Sequence, residues 1–341
     1  MFFSFFHFST LQINCIPIIY IYVNSNKQFQ ISIQMKEENN KANFKKIDAL
    51  LIEQLNNIAK SRSNVLKGSN NIAISTGFKG LDDSFGGWQN SQFVVIGGRP
   101  GMGKTAFALT LARNALKESE NKVAFFSLET PIKQVLNRLI SMESEISLDK
   151  IKMTKLLASE WKYLVNNIDN LMDSSLYIED DFFMSANELM ERCCILKKDK
   201  NVNLIIIDSL QEIKRDKNQS VDNLIDNLRS LSRELDITII VTSQLNRRVE
   251  LRGGAKRPIL SDLKNSSIEE NADNIILIYR PYYYKITQDE DGLDCREIGE
   301  IIIAKNRYGN TDTIKVKFSN KFVLFRELEI IDFDLNSDDP F

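Results

Sequence analysis

The segment Gly98-Arg99-Pro100-Gly101-Met102-Gly103-Lys104-Thr105 constrains the fold more than any other stretch of this chain. Gly98 and Gly103 have four residues between them, and Lys104 and Thr105 follow directly. Before them, Gln92-Phe93-Val94-Val95-Ile96-Gly97 reads as a buried strand. After them, Thr105 to Lys117 reads as a helix with apolar Phe107, Leu109, Leu111 and Leu116. A strand, a glycine-rich turn and a helix N-terminus in that order make an anion cradle. Backbone N–H groups converge on phosphates and the helix dipole adds positive potential. Lys104 is expected to reach the outer phosphates of ATP and Thr105 to ligate Mg²⁺. The whole stretch from Gly98 to Thr105 is the expected nucleotide-binding loop.

From Thr76 onward, strand and helix patterns alternate. Strands are expected at Phe93–Ile96, Val123–Leu128, Leu204–Ile207, Ile237–Thr242, Ile275–Tyr279, Ile301–Ala304 and Ile314–Phe318, with helices between the first four. Near-continuous apolar strands joined by helices imply an α/β fold, a mainly parallel central sheet covered on both faces. The last strands follow one another closely, as in a meander at one sheet edge. The formal net charge of −2 supplies no global basic field, so any nucleic-acid contact must be local. The four cysteines lack zinc-site spacing, and the one histidine, His7, lies in the leader. Histidine triads are therefore excluded from the core, and a reducing cytoplasmic setting is expected.

The remainder of the chain divides by composition. Residues 1–34 form an apolar leader whose first 26 residues carry no charged side chain; it has neither the basic start of a signal peptide nor an uninterrupted span. The expectation is an upstream extension of a protein that starts at Met35, with no membrane partner. Residues 35–74 comprise an amphipathic helix over Lys41 to Arg62 (Ile47, Leu50, Leu51, Leu55 and Ile58 at helical spacing) and a polar linker. Residues 75–328 form the main domain, and residues 329–341 an acidic tail.

Three strands end in side chains suited to phosphate chemistry. The run from Leu204 to Ile207 ends in Asp208, which places a carboxylate where open α/β sheets bind ligands and where it can hold Mg²⁺. The run from Val123 to Leu128 ends in Glu129, either a general base for water or a surface acid at a strand end. The third closes on Gln244, whose neutral amide can sense a γ-phosphate. The segment after it, Asn246 to Pro258, holds five basic residues, Arg247, Arg248, Arg252, Lys256 and Arg257, and one acid. It reads as a mobile basic loop facing a polyanion, the alternative being a solvated loop. Lys305 and Arg307 follow an apolar run and fall on one strand face. They suit a cationic finger inserted into a neighbour's nucleotide site, or edge charges that block aggregation.

Together these residues resemble the DnaB family of replicative helicases, in its C-terminal RecA-like motor domain, over roughly Phe44 to Leu328. The resemblance rests on Ser75-Thr76-Gly77-Phe78-Lys79-Gly80-Leu81-Asp82, the phosphate loop, Phe126-Ser127-Leu128-Glu129 and Ile207-Asp208-Ser209-Leu210-Gln211. It continues through Ser243-Gln244-Leu245-Asn246-Arg247, Lys256-Arg257-Pro258, Ser261-Asp262-Leu263 and Ile302-Ile303-Ala304-Lys305-Asn306-Arg307. It implies a RecA-like P-loop NTPase preceded by a linker helix that packs on the adjacent subunit. The implied assembly is a hexameric ring that hydrolyses ATP between subunits, translocates 5′ to 3′ on single-stranded DNA and unwinds forked DNA. In it Glu129 is the general base, Lys104 and Gln244 contact phosphates, Thr105 and Asp208 hold Mg²⁺, and Lys305 and Arg307 reach the next subunit's ATP. The basic loop grips DNA phosphates, and a primase or a helicase loader is an implied partner. A RecA-like ATPase that remodels DNA or protein without unwinding, and a non-enzymatic ring subunit, are the alternatives. The sequence departs from the family in lacking its N-terminal helical domain and in carrying Ser209 where Tyr is usual. It also has a shorter stretch, Lys264-Asn265-Ser266-Ser267, in the DNA-loop region.

Overall fold

Residues 19–23, 29–33, 47, 51 and 73–328 are described by a computed structural model, the last range apart from 118–119, 216–219 and 290–291. The chain divides into two units at Asn70/Asn71. In the first, β1 (Ile19–Val23) and β2 (Phe29–Ile33) pair antiparallel. Ile47 and Leu51 are helical and exposed. The rest of the helix expected over Lys41 to Arg62, the polar linker as far as residue 72 and the acidic tail from residue 329 lie outside the described residues.

The second unit is built on nine strands: β3 (Phe93–Gly98), β4 (Val123–Ser127), β5 (Leu176–Glu179), β6 (Leu204–Asp208), β7 (Thr238–Gln244), β8 (Asn274–Tyr279), β9 (Ile298–Asn306), β10 (Thr313–Ser319) and β11 (Leu324–Glu327). Their order across the sheet is β11-β10-β9-β8-β3-β7-β6-β4-β5. The run from β8 to β5 is parallel, and β8, β9, β10 and β11 form the antiparallel meander at one edge. β5 and β11 were not anticipated from the sequence. Each is four residues long, too short to show a period against polar flanks. The expected strands all form, with ends shifted by up to three residues.

Period-two alternation divides the core between the two sheet faces. Phe93, Val95, Ile205, Ile207, Ile239 and Val241 pack on one face with Leu224, Ile225 and Leu228 of the Val221–Glu234 helix. Val94, Ile96, Leu204 and Ile206 pack on the other with Phe107, Leu109 and Leu111 of the Lys104–Ala115 helix. Both faces are covered, so the strands read as unbroken apolar runs rather than alternating ones. Each such fully buried side chain contributes about 1.5–3 kcal/mol. That packing fixes β3, β7 and β6 as rigid central neighbours, and their C-terminal ends carry the site.

Candidate active site

Gly98 ends β3 in the middle of the sheet, and the chain then turns through Arg99 to Gly103 into the Lys104–Ala115 helix. The turn requires glycine at two places. Gly101 has φ +82° and Gly103 φ +96°, a region that side chains rarely enter. A Cβ on Gly101 would also lie 2.6 Å from Cε2 of Tyr283. Gly101→Ala is expected to lower stability by about 1–3 kcal/mol, read as a fall in the denaturant unfolding midpoint, because strain and clash coincide. With Gly103 left-handed just before the helix, the first-turn N–H groups face the loop rather than a capping side chain.

Lys104 is only 8% exposed, and no hydrogen bond or ion pair holds its ammonium among the described residues. Burial pushes its pKa below the ordinary lysine value, against the opposing charges of Asp208 and Glu129. A buried cation with no hydrogen-bond partner at the N-terminus of that helix suits an anion.

The partner strands deliver their end residues to the same sheet edge. In register, Gly98 lies opposite Gln244 and Ser127 opposite Asp208. Asp208 is buried. Its Oδ1 accepts from the Thr242 hydroxyl of β7, while Oδ2 is buried with no hydrogen-bond partner. An orphaned carboxylate oxygen of this kind fits a cation, and with the Thr105 hydroxyl it suits Mg²⁺. Glu129 lies just beyond β4 and is exposed. Partial burial and the charge of Asp208 push its carboxyl above the usual carboxylate range, although Lys104 pulls the other way. Gln244 is flanked by two contacts. Its backbone N–H donates to Oε1 of Gln211 (3.1 Å), and its side-chain oxygen accepts from Lys264 Nζ (3.1 Å).

Lys305 and Arg307 lie elsewhere. β9 runs antiparallel to β8, so Asn306 pairs with Asn274, which itself pairs with Val94 at the start of β3. The two cations are therefore at the opposite end of β3 from Gly98, about 13 Å along the strand. Both fold onto the turn before β8. Lys305 Nζ donates to the carbonyls of Glu269 (2.6 Å) and Ala272 (2.8 Å). Arg307 pairs with buried Asp273 at 2.6 Å. The basic segment is partly tied down as well: Arg252 pairs with Asp262 (2.7 Å) and Arg257 with Glu300 (2.7 Å), while Lys256 lies 5.4 Å from the Tyr284 ring centre. Arg247 and Arg248 are exposed at its start.

Four residues at the site were not singled out from the sequence as site residues. Thr242 orients Asp208, and Gln211 bridges the Ser243 hydroxyl (2.9 Å) and the Gln244 backbone. Lys264 reaches Gln244 from the turn before the Ser266–Asn271 helix. Arg138 lies in the Ile132–Ser144 helix and is half-buried. Helical side chains lean toward the N-terminus, and that end follows Glu129 directly. The charges of Glu129 and Asp208 act on its guanidinium, whose pKa burial pushes down. A lone arginine among apolar neighbours, Val135 and Leu139, was the one sequence signal available.

Residues 73–327 match the family model of the DnaB-like helicase C-terminal domain. The chain belongs to that family. This DnaB-like chain is 33% identical over 306 residues to the replicative DNA helicase DnaB of Geobacillus stearothermophilus, covering 87% of itself and 65% of that relative. It is 35% identical over 274 residues to a probable replicative DNA helicase of Trieres chinensis, covering 78% of itself and 58% of the relative. It therefore spans less than two thirds of the length of these relatives. Among solved structures, an isolated ATPase domain aligns with a TM-score of 0.73 at 32% identity, over 84% of this chain and all of that one. A DnaB-like replicative helicase studied with primase aligns with a TM-score of 0.70 at 32% identity, over 80% of this chain and 66% of that one. The α/β, RecA-like fold read from the sequence is thus the fold found.

Proposed function

We propose that this chain is the motor of an ATP-dependent DNA helicase that assembles as a hexameric ring, splits ATP between neighbouring subunits and moves 5′ to 3′ along single-stranded DNA. The observation that carries the reading is the division of the site between two ends of one sheet. Lys104, Glu129, Asp208 and Gln244 gather at the C-terminal edge of the parallel strands. Lys305 and Arg307 lie at the opposite edge, folded onto the turn before β8, too far along the strands to serve the same nucleotide. A ring in which each subunit's Arg307 edge meets the next subunit's phosphate loop completes every site.

In that reading the N–H groups after Gly103 bind the phosphates and Lys104 neutralises the outer ones. Thr105 and Asp208 would hold Mg²⁺, which supplies charge stabilisation on the phosphoryl oxygens when bound. Glu129 orients the attacking water and accepts its proton; burial raises its pKa, which makes it a stronger base than an ordinary carboxylate. Gln244 contacts the γ-phosphate, and Lys264 and Gln211 connect it to the neighbouring loops. Arg247, Arg248, Arg252, Lys256 and Arg257 grip DNA phosphates without reading sequence, which makes binding strongly salt-dependent. Primase or a helicase loader would be further partners. Among the described residues no helix is long and apolar enough to cross a membrane.

Single-turnover unwinding of a forked duplex tests the assignment. The wild-type chain is expected to separate the strands, and Lys104→Ala to show neither unwinding nor nucleotide binding. The thermal midpoint of that variant is expected to hold or rise, because a buried unpaired charge is removed. DNA-stimulated hydrolysis without strand separation would replace the helicase reading with that of a remodelling ATPase.

A further inference from the structure

Arg99, the second residue of the phosphate loop, turns away from the phosphate side. Its side chain is 11% exposed. Nε donates to Glu250 Oε1 at 2.9 Å, and an NH1 hydrogen goes to the Leu245 carbonyl at 3.0 Å. Glu250 is the one acid in the basic segment and sits in its short helix, Arg248–Leu251. The same Oε1 accepts from the Tyr284 hydroxyl at 3.2 Å.

Tyr284 belongs to an aromatic wall shared by the two elements. Its ring stacks on Tyr279 with centroids 6.1 Å apart and meets Tyr283 edge-on at 5.4 Å. Tyr283 covers Gly101 of the phosphate loop. Toward the far end of the basic segment, the Tyr279 hydroxyl donates to the Ala255 carbonyl, and Lys256 lies over the Tyr284 ring. The phosphate loop and both ends of the basic segment thus lean on one wall, and the Arg99–Glu250 pair is the ionic tie between them. Arg99 in turn holds the Glu250 carboxyl below the usual carboxylate range, so it stays charged at neutral pH.

We propose that Glu250 is a positioning residue that locks the phosphate loop to the basic segment, so that nucleotide and single-stranded DNA each strengthen the binding of the other. The proposal rests on the reading of the phosphate loop as a nucleotide site and of the basic segment as a DNA contact. When a polyanion fixes the basic segment, Glu250 is fixed with it. Arg99 then keeps its counter-charge, and the loop keeps the conformation that receives phosphate. Without Glu250, Arg99 is a nearly buried cation whose remaining partner is a carbonyl. It is free to move, and its position no longer depends on the segment. Coupling of this kind is reciprocal: each ligand changes the other's affinity by the same factor.

The test is a titration of the full chain with a fluorescent ATP analogue at fixed salt, with and without an oligothymidylate of about 20 nucleotides, a length that spans one to a few of the roughly 4–16-nucleotide sites of single-strand binders. For the wild type, the oligonucleotide is expected to tighten analogue binding about fivefold or more, the lower end of typical coupling. Glu250→Ala is expected to bring that factor to about one. Glu250→Gln keeps an acceptor for both Arg99 and Tyr284 and is expected to retain most of it. Tyr284→Phe, which deletes only one hydroxyl, is expected to lower it part of the way. An unchanged factor in Glu250→Ala overturns the proposal, or in Tyr284→Phe should Glu250→Ala not fold. A wild type that binds both ligands with no coupling overturns it equally. A wild type that binds no analogue overturns the motor reading itself, which separates the two failures.

Discussion

Arg307→Ala is expected to lower ATP turnover by about 10³–10⁵-fold while each subunit's own phosphate loop still binds nucleotide. The reason is topological. Arg307 follows β9, whose antiparallel register with β8 carries it to the edge of the sheet opposite Lys104. In the proposed ring, its transition-state contact is made in a neighbouring copy. Mixing decides the point. A preparation of Arg307→Ala subunits and one of Lys104→Ala subunits, each inactive, should regain turnover when combined. Some interfaces then pair an intact loop with an intact finger. Two inactive preparations that stay inactive on mixing, although they co-assemble, would rule out action in trans. Arg307 also pairs with Asp273, which is 3% exposed, accepts from the Phe93 N–H and lies 4.0 Å from Arg229. Truncation therefore carries a stability penalty of about 1–3 kcal/mol. Arg307→Lys keeps a charge for Asp273 but loses the planar fork. It should recover the unfolding midpoint and only a small part of the turnover, separating the structural role from the catalytic one.

Glu129→Gln is expected to reduce single-turnover hydrolysis by about 10²–10⁴-fold and to leave nucleotide affinity nearly unchanged, because the amide can orient water but cannot take its proton. The pH dependence gives a second reading. Burial and Asp208 raise the Glu129 carboxyl above its ordinary value, and only the ionised form is a base. The rate should therefore fall, as pH is lowered, at a pH above that of an ordinary carboxylate near ~4.3. That acid limb should be absent from whatever rate the Gln variant retains. The stability linkage has the opposite sense. A carboxyl whose pKa is raised by folding favours the folded state below its unfolded pKa and loses that contribution as pH rises through the folded value. Above the folded value the ionised carboxylate is thus a burden, and there Glu129→Gln should hold or raise the unfolding midpoint. A midpoint that falls with activity would recast Glu129 as structural.

The phosphate loop was legible because everything it needs is local. The left-handed turn at Gly101 and Gly103, the strand before it and the helix after it occupy a contiguous stretch. The acids and the amide at the ends of β4, β6 and β7 were legible for a related reason. A parallel sheet brings the C-terminal ends of its strands to one edge whatever their separation in sequence. The short strands β5 and β11 escaped, since four residues carry too little periodicity. Contacts made across the sheet escaped as well: Thr242 on Asp208, Gln211 and Lys264 on Gln244, and Arg99 on Glu250. None has a signature in the local sequence, because each depends on strand order and register.

By itself, the sequence determined a strand, a glycine-rich turn and a helix on a covered, mainly parallel sheet, because turn chemistry and apolar period act over a few neighbouring residues. The tertiary structure alone decided which side chains share an edge and which are kept apart. The reversal of direction between β8 and β9 places Lys305 and Arg307 opposite the phosphate loop. Pairing register, rather than residue type, is what leads to the proposal of a site that two subunits complete.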